Sequence, residues 1–158
     1  MGCFLCVLAA ATGQFGEVPT TELVVENTCE YQISVFVRRS SAPPGSRWSS
    51  LNLRTGRAGS WPLVSRDTFN IRILVRLYDG TQEELGADNI DFHSLAWTDG
   101  PYSLTFTQRG THYGGRFFPV RPFHAAAADL YTGNGRAILL FRDAGLVGHK
   151  PLNPIIRP

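Results

Sequence analysis

Hydrophobic and polar residues alternate regularly in the middle of the chain. From residue 69 to residue 77, every second residue is large and apolar: Phe69, Ile71, Ile73, Val75 and Leu77. Arg72 and Arg76 lie between them, and Asp79-Gly80 follows. A period of two that ends in Asp-Gly is typical of a half-buried β-strand entering a tight hairpin. The pattern therefore predicts a strand whose two arginines lie on the face opposite the core.

Similar patterns recur at short spacing along the rest of the chain. Strands are predicted in residues 23–27, 31–39, 102–107 and 136–141, with regular alternation in 31–39 and 102–107, and Gly133-Asn134-Gly135 predicts a second hairpin. Residues 116–120 predict an edge strand, because Pro119 has no backbone donor. Residues 81–86 are typical of a polar turn, and residues 89–96 of a strand or an irregular loop. Only residues 124–130, with four consecutive alanines, favour a helix.

These short elements predict an all-β protein. Seven to nine strands with turns at roughly ten-residue spacing favour two packed antiparallel sheets over alternating β and α units. We therefore expect a jelly-roll-like antiparallel β-sandwich, built as one domain over residues 22–144. A chain of 158 residues that is 43% hydrophobic with a net charge of +2 suits a single globular domain. Residues 145–158 contain three prolines and predict an extended tail.

The first residues differ from the rest. Residues 1–13 form a short apolar stretch that ends in small residues, which predicts a signal peptide and a secreted or extracytoplasmic protein. No Lys or Arg precedes the apolar stretch, so an acylated N terminus and a buried first strand remain alternatives. Removal of this leader would leave Cys29 as the only cysteine, so the mature domain could form no internal disulfide. No later apolar run has the length of a transmembrane helix.

Residues 22–64 resemble the opening of thaumatin-like proteins. The resemblance is carried by Asn27-Thr28-Cys29-Glu30-Tyr31 at the end of a first strand, and by Leu53-Arg54-Thr55-Gly56 before a second apolar segment. It implies a β-sandwich. Thaumatin-like proteins depend on many disulfides that this chain cannot form, so their acidic cleft and glucan binding are not expected here.

Charge is strongly segregated along the sequence. Residues 31–78 hold eight arginines against Asp67, whereas residues 79–108 hold six acids and no base. The predicted Asp79-Gly80 hairpin joins these two segments, so pairing of opposite charges across the sheet is the simplest explanation. The alternative is a basic face formed by Arg38, Arg72 and Arg76 that binds an anionic ligand. A nearly neutral chain without a binding motif does not favour nucleic acid.

An enzymatic alternative rests on Asp91 and His93. If these residues lay on an extended strand, their side chains would share a face and could bind a divalent metal with His112 or His124. Solvated neighbours that flank an inward Phe92 are the structural explanation of the same pattern. The sequence contains no nucleophile elbow and no phosphate-binding glycine loop, so we assign no catalytic residue and expect no cofactor.

Aromatic residues provide a third hypothesis. Trp48 and Trp61 lie in short strands or loops, where exposed rings could stack on a glycan, although most tryptophans in a domain of this size are buried. We conclude that the sequence predicts a non-enzymatic, exported binding module. Its alternatives are a metal-dependent hydrolase at Asp91 and His93 and a carbohydrate-binding module. Three classes of partner remain open: another protein, a glycan and a second copy of the chain.

Overall fold

The computed structural model describes residues 20–64 and 66–142, and for residues 122–125 it describes the backbone alone. Nine strands and one short helix lie within these residues. In chain order they are β1 (Thr21–Asn27), β2 (Ile33–Arg39), β3 (Ser49–Leu53), β4 (Ala58–Leu63), β5 (Phe69–Arg76), β6 (Gln82–Ile90), α1 (Phe92–Ala96), β7 (Tyr102–Tyr113), β8 (Arg116–Gly133) and β9 (Arg136–Phe141). The helix is too short to cross a bilayer, and no other helix is found in the described residues.

All nine strands belong to one sheet, in the order β3-β2-β5-β6-β7-β8-β9-β1-β4. Every neighbouring pair is antiparallel except β1 and β9, which run parallel with Leu23 opposite Ala137. The outermost strands, β3 and β4, are consecutive in the chain and contact each other, so the sheet is mixed and nearly closed into a barrel. The all-β prediction is confirmed. The antiparallel sandwich is not confirmed, because one continuous sheet takes the place of two stacked ones.

The barrel interior is filled by the inward residues of each strand. Along β5 buried and half-buried positions alternate, and the predicted apolar residues occupy the buried ones, with Ile71, Ile73 and Val75 fully buried. Leu23 and Val25 on β1 and Leu139 and Phe141 on β9 complete the opposite wall, because side chains of a strand alternate between its two faces. These residues form one hydrophobic core, so the predicted strand on residues 69–77 is confirmed as part of its wall.

Three local predictions were wrong. The alanine-rich residues 124–130 lie within the 18-residue strand β8, where Ala126 and Ala128 are buried against the core; pairing with neighbouring strands overrides their helix propensity. Residues 82–86 belong to β6 rather than to a turn, and Glu83 is buried there through hydrogen bonds with Gln108 and Thr111. Residues 92–96 form helix α1 rather than a strand or an irregular loop. The predicted leader and tail lie outside the described residues.

The predicted edge strand at residues 116–120 is the first part of β8. Along this part β8 pairs with β7, from Arg116 opposite Tyr113 to Pro119 opposite Gly110. Pairing with β9 begins only at Asp129. Pro119 is therefore accommodated where β8 has a described neighbour on one side alone.

Helix α1 covers one end of the barrel. Phe92 and Ala96 are fully buried, and Phe92 lies 6.5 Å from Phe69 at the start of β5. The Ala96 carbonyl accepts a hydrogen bond from the Gly135 N–H at 2.9 Å, at the start of β9. The helix thereby connects the two walls, and we call this end of the barrel the α1 end.

Asn27 organises the opposite end, which we call the Asn27 end. Its fully buried amide donates to the carbonyls of Tyr31 at 2.8 Å and Leu53 at 2.9 Å, and its side-chain oxygen accepts from the Cys29 N–H at 3.0 Å. The Asn27 carbonyl also accepts from the Gly56 N–H at 2.7 Å. One residue therefore holds the end of β1 against the start of β2 and the β3–β4 turn.

The substitution Asn27→Ala is expected to destabilise the fold. It leaves two buried carbonyls and one buried N–H without their partner, so the free energy of unfolding should fall by about 3 kcal/mol. The control Asn52→Ala removes an exposed amide that contacts Ser34, and its effect should stay within about 0.5 kcal/mol. Urea unfolding measures both values. Equal unfolding midpoints for the two variants would contradict the role assigned to Asn27.

Candidate functional site

The outer face of β5 and β6 carries a compact charge cluster around Arg72. The Nη1 atom of Arg72 lies 2.6 Å from Asp88 Oδ1, and its Nε atom lies 3.9 Å from Glu84 Oε2. Gly86 lies directly opposite Arg72 in the register, and a Cβ there would meet the Arg72 side chain at 3.0 Å. The missing side chain lets Arg72 extend across β6 to its acids. The basic and acidic segments of the sequence thus pair with each other through Arg72.

The other predicted basic residues are arranged differently. Arg38 stacks over the Trp48 ring at 4.3 Å and donates from Nη1 to the Ser46 carbonyl at 3.1 Å. The Arg72 guanidinium also lies over Trp48, at 5.4 Å. Arg76 is exposed at the last position of β5, near the Asn27 end. The structure therefore brings Arg38 and Arg72 together at Trp48 and leaves Arg76 apart.

A shallow pocket of about 240 Å³ lies beside this cluster. Its lining residues are Phe36, Trp48, Arg72, Leu74, Glu84 and His112. Both signs of charge are present and paired, since His112 Nε2 lies 2.8 Å from Glu84 Oε1. Trp61 does not extend this surface, because it is buried in the core. The two tryptophans named in the glycan hypothesis therefore do not form a shared exposed platform.

The residues of the metal hypothesis are separated. Asp91 is the N-cap of α1, and it accepts hydrogen bonds from the Ser94 N–H at 3.0 Å and the Ser94 hydroxyl at 2.8 Å. His93 is buried in the same helix, and neither ring nitrogen has a hydrogen-bond partner among the described residues. His112 lies near the Asn27 end, opposite Gln82. Among the side chains that the structure describes, which do not include that of His124, no three His, Cys, Asp or Glu form a metal-binding group.

The physical reason is the helix itself. The expectation that Asp91 and His93 share one face required an extended strand, but the chain turns into α1 directly after Asp91. The Ser94 N–H lowers the pKa of Asp91 from its usual value, with smaller contributions from the Ser94 hydroxyl and from attraction to His93 and Arg66. Asp91 thus acts as a helix cap.

A different site opens along the seam between β3 and β4. Residues 54–57 connect these strands, and near this turn they touch, since a Cβ on Gly59 would collide with the Leu51 side chain. β3 pairs with β2 and β4 with β1, and the two strands separate toward the α1 end. A pocket of about 270 Å³, the seam pocket, occupies this gap.

The lining of the seam pocket combines core side chains with arginines. Its apolar wall is formed by Val37, Trp61, Leu63 and Phe69, which are between 4% and 8% exposed. The loop after β2 and the end of β2 add arginines that line the same pocket: Arg38, Arg39 and Arg47. No acidic residue lines it among the described residues.

Two of these arginines remain available at the pocket. Arg38 is already stacked on Trp48, whereas Arg39 and Arg47 are exposed and form no ion pair within 4.0 Å in the described part of the chain. The nearby Asp67 accepts a hydrogen bond from Ser41, which lowers the pKa of Asp67 most, and attraction to Arg39 lowers it further. Arg39 therefore has one acidic neighbour outside the pocket lining.

From the sequence, Arg39 and Arg47 belong to the basic segment of residues 31–78, but no role was predicted for them. The available signal was their position on both sides of the Pro43-Pro44 loop. What the sequence could not supply was the closeness of this loop to Trp61 and Leu63 on β4, because the two are not paired in the sheet.

Substitutions of Asp91 and His93 test whether these two residues have a structural role or bind a metal. The change Asp91→Ala removes a helix cap and should lower the free energy of unfolding by about 1 kcal/mol. The change His93→Leu removes two buried nitrogens without partners and should leave that free energy equal or raise it by about 1 kcal/mol. Thermal unfolding with zinc and with a chelator checks both. A zinc-dependent rise in wild-type stability that His93→Leu abolishes would restore the metal hypothesis.

The charge of Asp91 also gives a pH dependence. Because its pKa is lowered in the folded state, the charged form contributes stability above the unfolded pKa of about 3.9, and this is lost as pH falls through the lower folded pKa. The stability difference between wild type and Asp91→Asn should therefore be constant near neutral pH and begin to decline only as pH falls below about 3.9. Urea unfolding across this range measures it. A difference that grows on acidification would contradict the assignment.

Comparison with known proteins identifies no relative of this chain. No family model, no curated protein and no solved structure matches the chain. The resemblance of residues 22–64 to thaumatin-like proteins stays a prediction.

Proposed function

We propose that this protein is a non-enzymatic binding module whose seam pocket takes a small anionic amphiphile, such as a medium-chain carboxylate. One observation carries the proposal: core side chains and arginines line the same cavity, and no described acidic residue lines it. An apolar wall with a few convergent charged groups is the general form of a small-molecule site.

The apolar part of the ligand would contact the barrel core directly. Trp61 and Leu63 on β4 face the same cavity as Val37 on β2 and Phe69 on β5. These strands are not paired with β4, so a ligand there would bridge the open part of the seam. Removing its hydrocarbon from water would supply most of the binding free energy, at about 25 cal/mol per Å² of buried apolar surface.

The acidic head group would lie at Arg39 and Arg47. A guanidinium offers a planar fork of donors that matches a carboxylate, and such charge-assisted hydrogen bonds are stronger than neutral ones. Arg38 contributes in another way, because its stacking on Trp48 and its bond to Ser46 fix the loop that carries Arg47. The anionic-ligand hypothesis is thereby kept, but the seam arginines take the place of Arg72, whose charge is neutralised by Asp88 and Glu84.

Export of the module is a further part of the proposal. It is supported by the leader-like composition of residues 1–13 alone.

Binding of decanoate and decanol distinguishes the head group from the tail. Calorimetric titration of wild type, below the micellar concentration, should show saturable binding of decanoate and weaker binding of decanol. The double variant Arg39→Gln/Arg47→Gln should weaken decanoate binding by about tenfold and leave decanol unchanged, because only the charged head group contacts the arginines.

Two further variants serve as controls. Arg54→Gln removes an exposed arginine from the closed end of the seam, outside the pocket, and should bind decanoate as wild type does. Ala42→Trp places a large ring in the pocket lining and should abolish binding of both compounds. Equal affinity for decanoate and decanol, or no saturable binding of decanoate, would refute the proposed function.

A further inference from the structure

Exposed aromatic residues are concentrated at the Asn27 end of the barrel. Tyr113 closes β7, and Phe117, Phe118 and Val120 follow on β8, with exposed fractions between 38% and 59%. Tyr78 in the β5–β6 turn is 74% exposed, and pairing of Gln82 with His112 places that turn beside the β7–β8 turn. We call the residues Tyr78, Tyr113, Phe117, Phe118 and Val120 the aromatic rim.

The aromatic rim is apolar on both faces of β8. Consecutive residues of a strand point to opposite faces, so Phe117 and Phe118 lie on different sides of the sheet, and each is 45% exposed. The Phe117 ring contacts His112 with centroids 4.7 Å apart and covers Gly110, where no side chain intervenes. Phe118 lies under the Arg116 guanidinium at 5.5 Å. Neither ring is therefore held in the core.

Arginines surround the aromatic rim. Arg116 and Arg121 are exposed on the same stretch of β8, and Arg76 is exposed at the neighbouring end of β5. The sequence from Arg109 to Ala128 contains no acidic residue. The nearby acids are Glu30, whose neighbour Tyr31 contacts the Tyr78 ring, Asp79 in the β5–β6 turn, the buried Glu83, and Glu84, which is paired with His112. The rim thus combines large apolar side chains with exposed arginines, and two of these, Arg116 and Arg121, lie on the stretch of β8 that contains no acid.

We propose that the aromatic rim binds the interface of an anionic lipid bilayer. Exposed aromatic rings are favoured at the level of the lipid head groups, and nearby arginines are attracted to a negatively charged leaflet. The head-group region can surround a strand and accept Phe117 and Phe118 at the same time. A flat protein surface placed on one face would leave the other phenylalanine in water, so the two-sided exposure favours lipid.

Binding of the aromatic rim to a bilayer is compatible with ligand binding in the seam pocket. The seam pocket opens toward the α1 end, which is the opposite end of the barrel, so bound lipid would not cover it. The two proposals rest on different residues. Failure of one leaves the other unaffected.

Vesicle flotation tests the proposal with the full chain. Wild type should float with vesicles in which about one-third of the phosphatidylcholine is replaced by phosphatidylserine, and it should bind pure phosphatidylcholine much more weakly. Raising the salt concentration should reduce binding, because counterions screen the attraction. Phe117→Ser and Phe118→Ser should each reduce binding several-fold, since both faces contact lipid.

Matched controls separate lipid binding from loss of fold. Tyr131→Ser removes an aromatic ring with the same 45% exposure from the other end of β8, and it should bind vesicles as wild type does. Arg116→Gln/Arg121→Gln should weaken binding by about fivefold per arginine, whereas Arg136→Gln at the α1 end should have no effect. Unchanged urea midpoints for the phenylalanine variants show that the barrel is intact.

A Phe118→Trp variant reports directly on contact. Its fluorescence should shift to the blue and be quenched by brominated lipid when phosphatidylserine vesicles are added. The proposal is overturned if wild type does not bind these vesicles, if both vesicle types bind equally, or if only one of the two phenylalanines matters. Concentration-dependent dimerisation without vesicle binding would instead assign the rim to a second copy of the chain.

Discussion

The buried amide of Asn27 is the constraint on which the rest of this barrel depends. It satisfies the Tyr31 and Leu53 carbonyls and the Cys29 N–H, at the point where β1 ends, β2 begins and the β3–β4 turn passes. The next residue, Thr28, donates its N–H and its hydroxyl to the Phe141 carbonyl at the end of β9. Buried polar groups are costly unless each is bonded, so this junction admits little rearrangement.

Closure at the Asn27 end has a consequence at the α1 end. Strands β3 and β4 are held together by their turn, but each is paired along its length with a different neighbour, β2 or β1. They separate away from the junction, and in the gap Trp61 and Leu63 line the same pocket as the loop that carries Arg47. The seam pocket thus follows from the way the sheet nearly closes, and α1 covers the remaining opening through Phe92 and Ala96.

Arginines of the basic segment have either a structural or a binding role, depending on their neighbours in the fold. The sequence places a basic segment directly before an acidic one, and β5 and β6 become neighbours, so Arg72 reaches Asp88 and Glu84 across Gly86. Such an arginine is neutralised by its own sheet. Arg39 and Arg47 belong to the same basic segment, but they lie at the seam, where the neighbouring strand β4 carries no acid. Position in the sheet, and not residue type, separates the two roles.

The sequence alone determined the all-β class and much of the core, because strand alternation is a local property: residues 31–37 and 69–77 bury the side chains that the pattern placed on one face. It failed where tertiary pairing overrides local preference. The alanines of β8 favour a helix in isolation, and Asp91 and His93 share a face only in a strand that does not form.

Only the tertiary structure decided that one mixed sheet nearly closes on itself, since the parallel pairing of β1 with β9 joins segments more than 100 residues apart. The seam pocket and the aromatic rim depend on such long-range neighbours. Local patterns fix which face of a strand is apolar, but the strands that cover that face, or leave it exposed, are set by the packing of the whole chain.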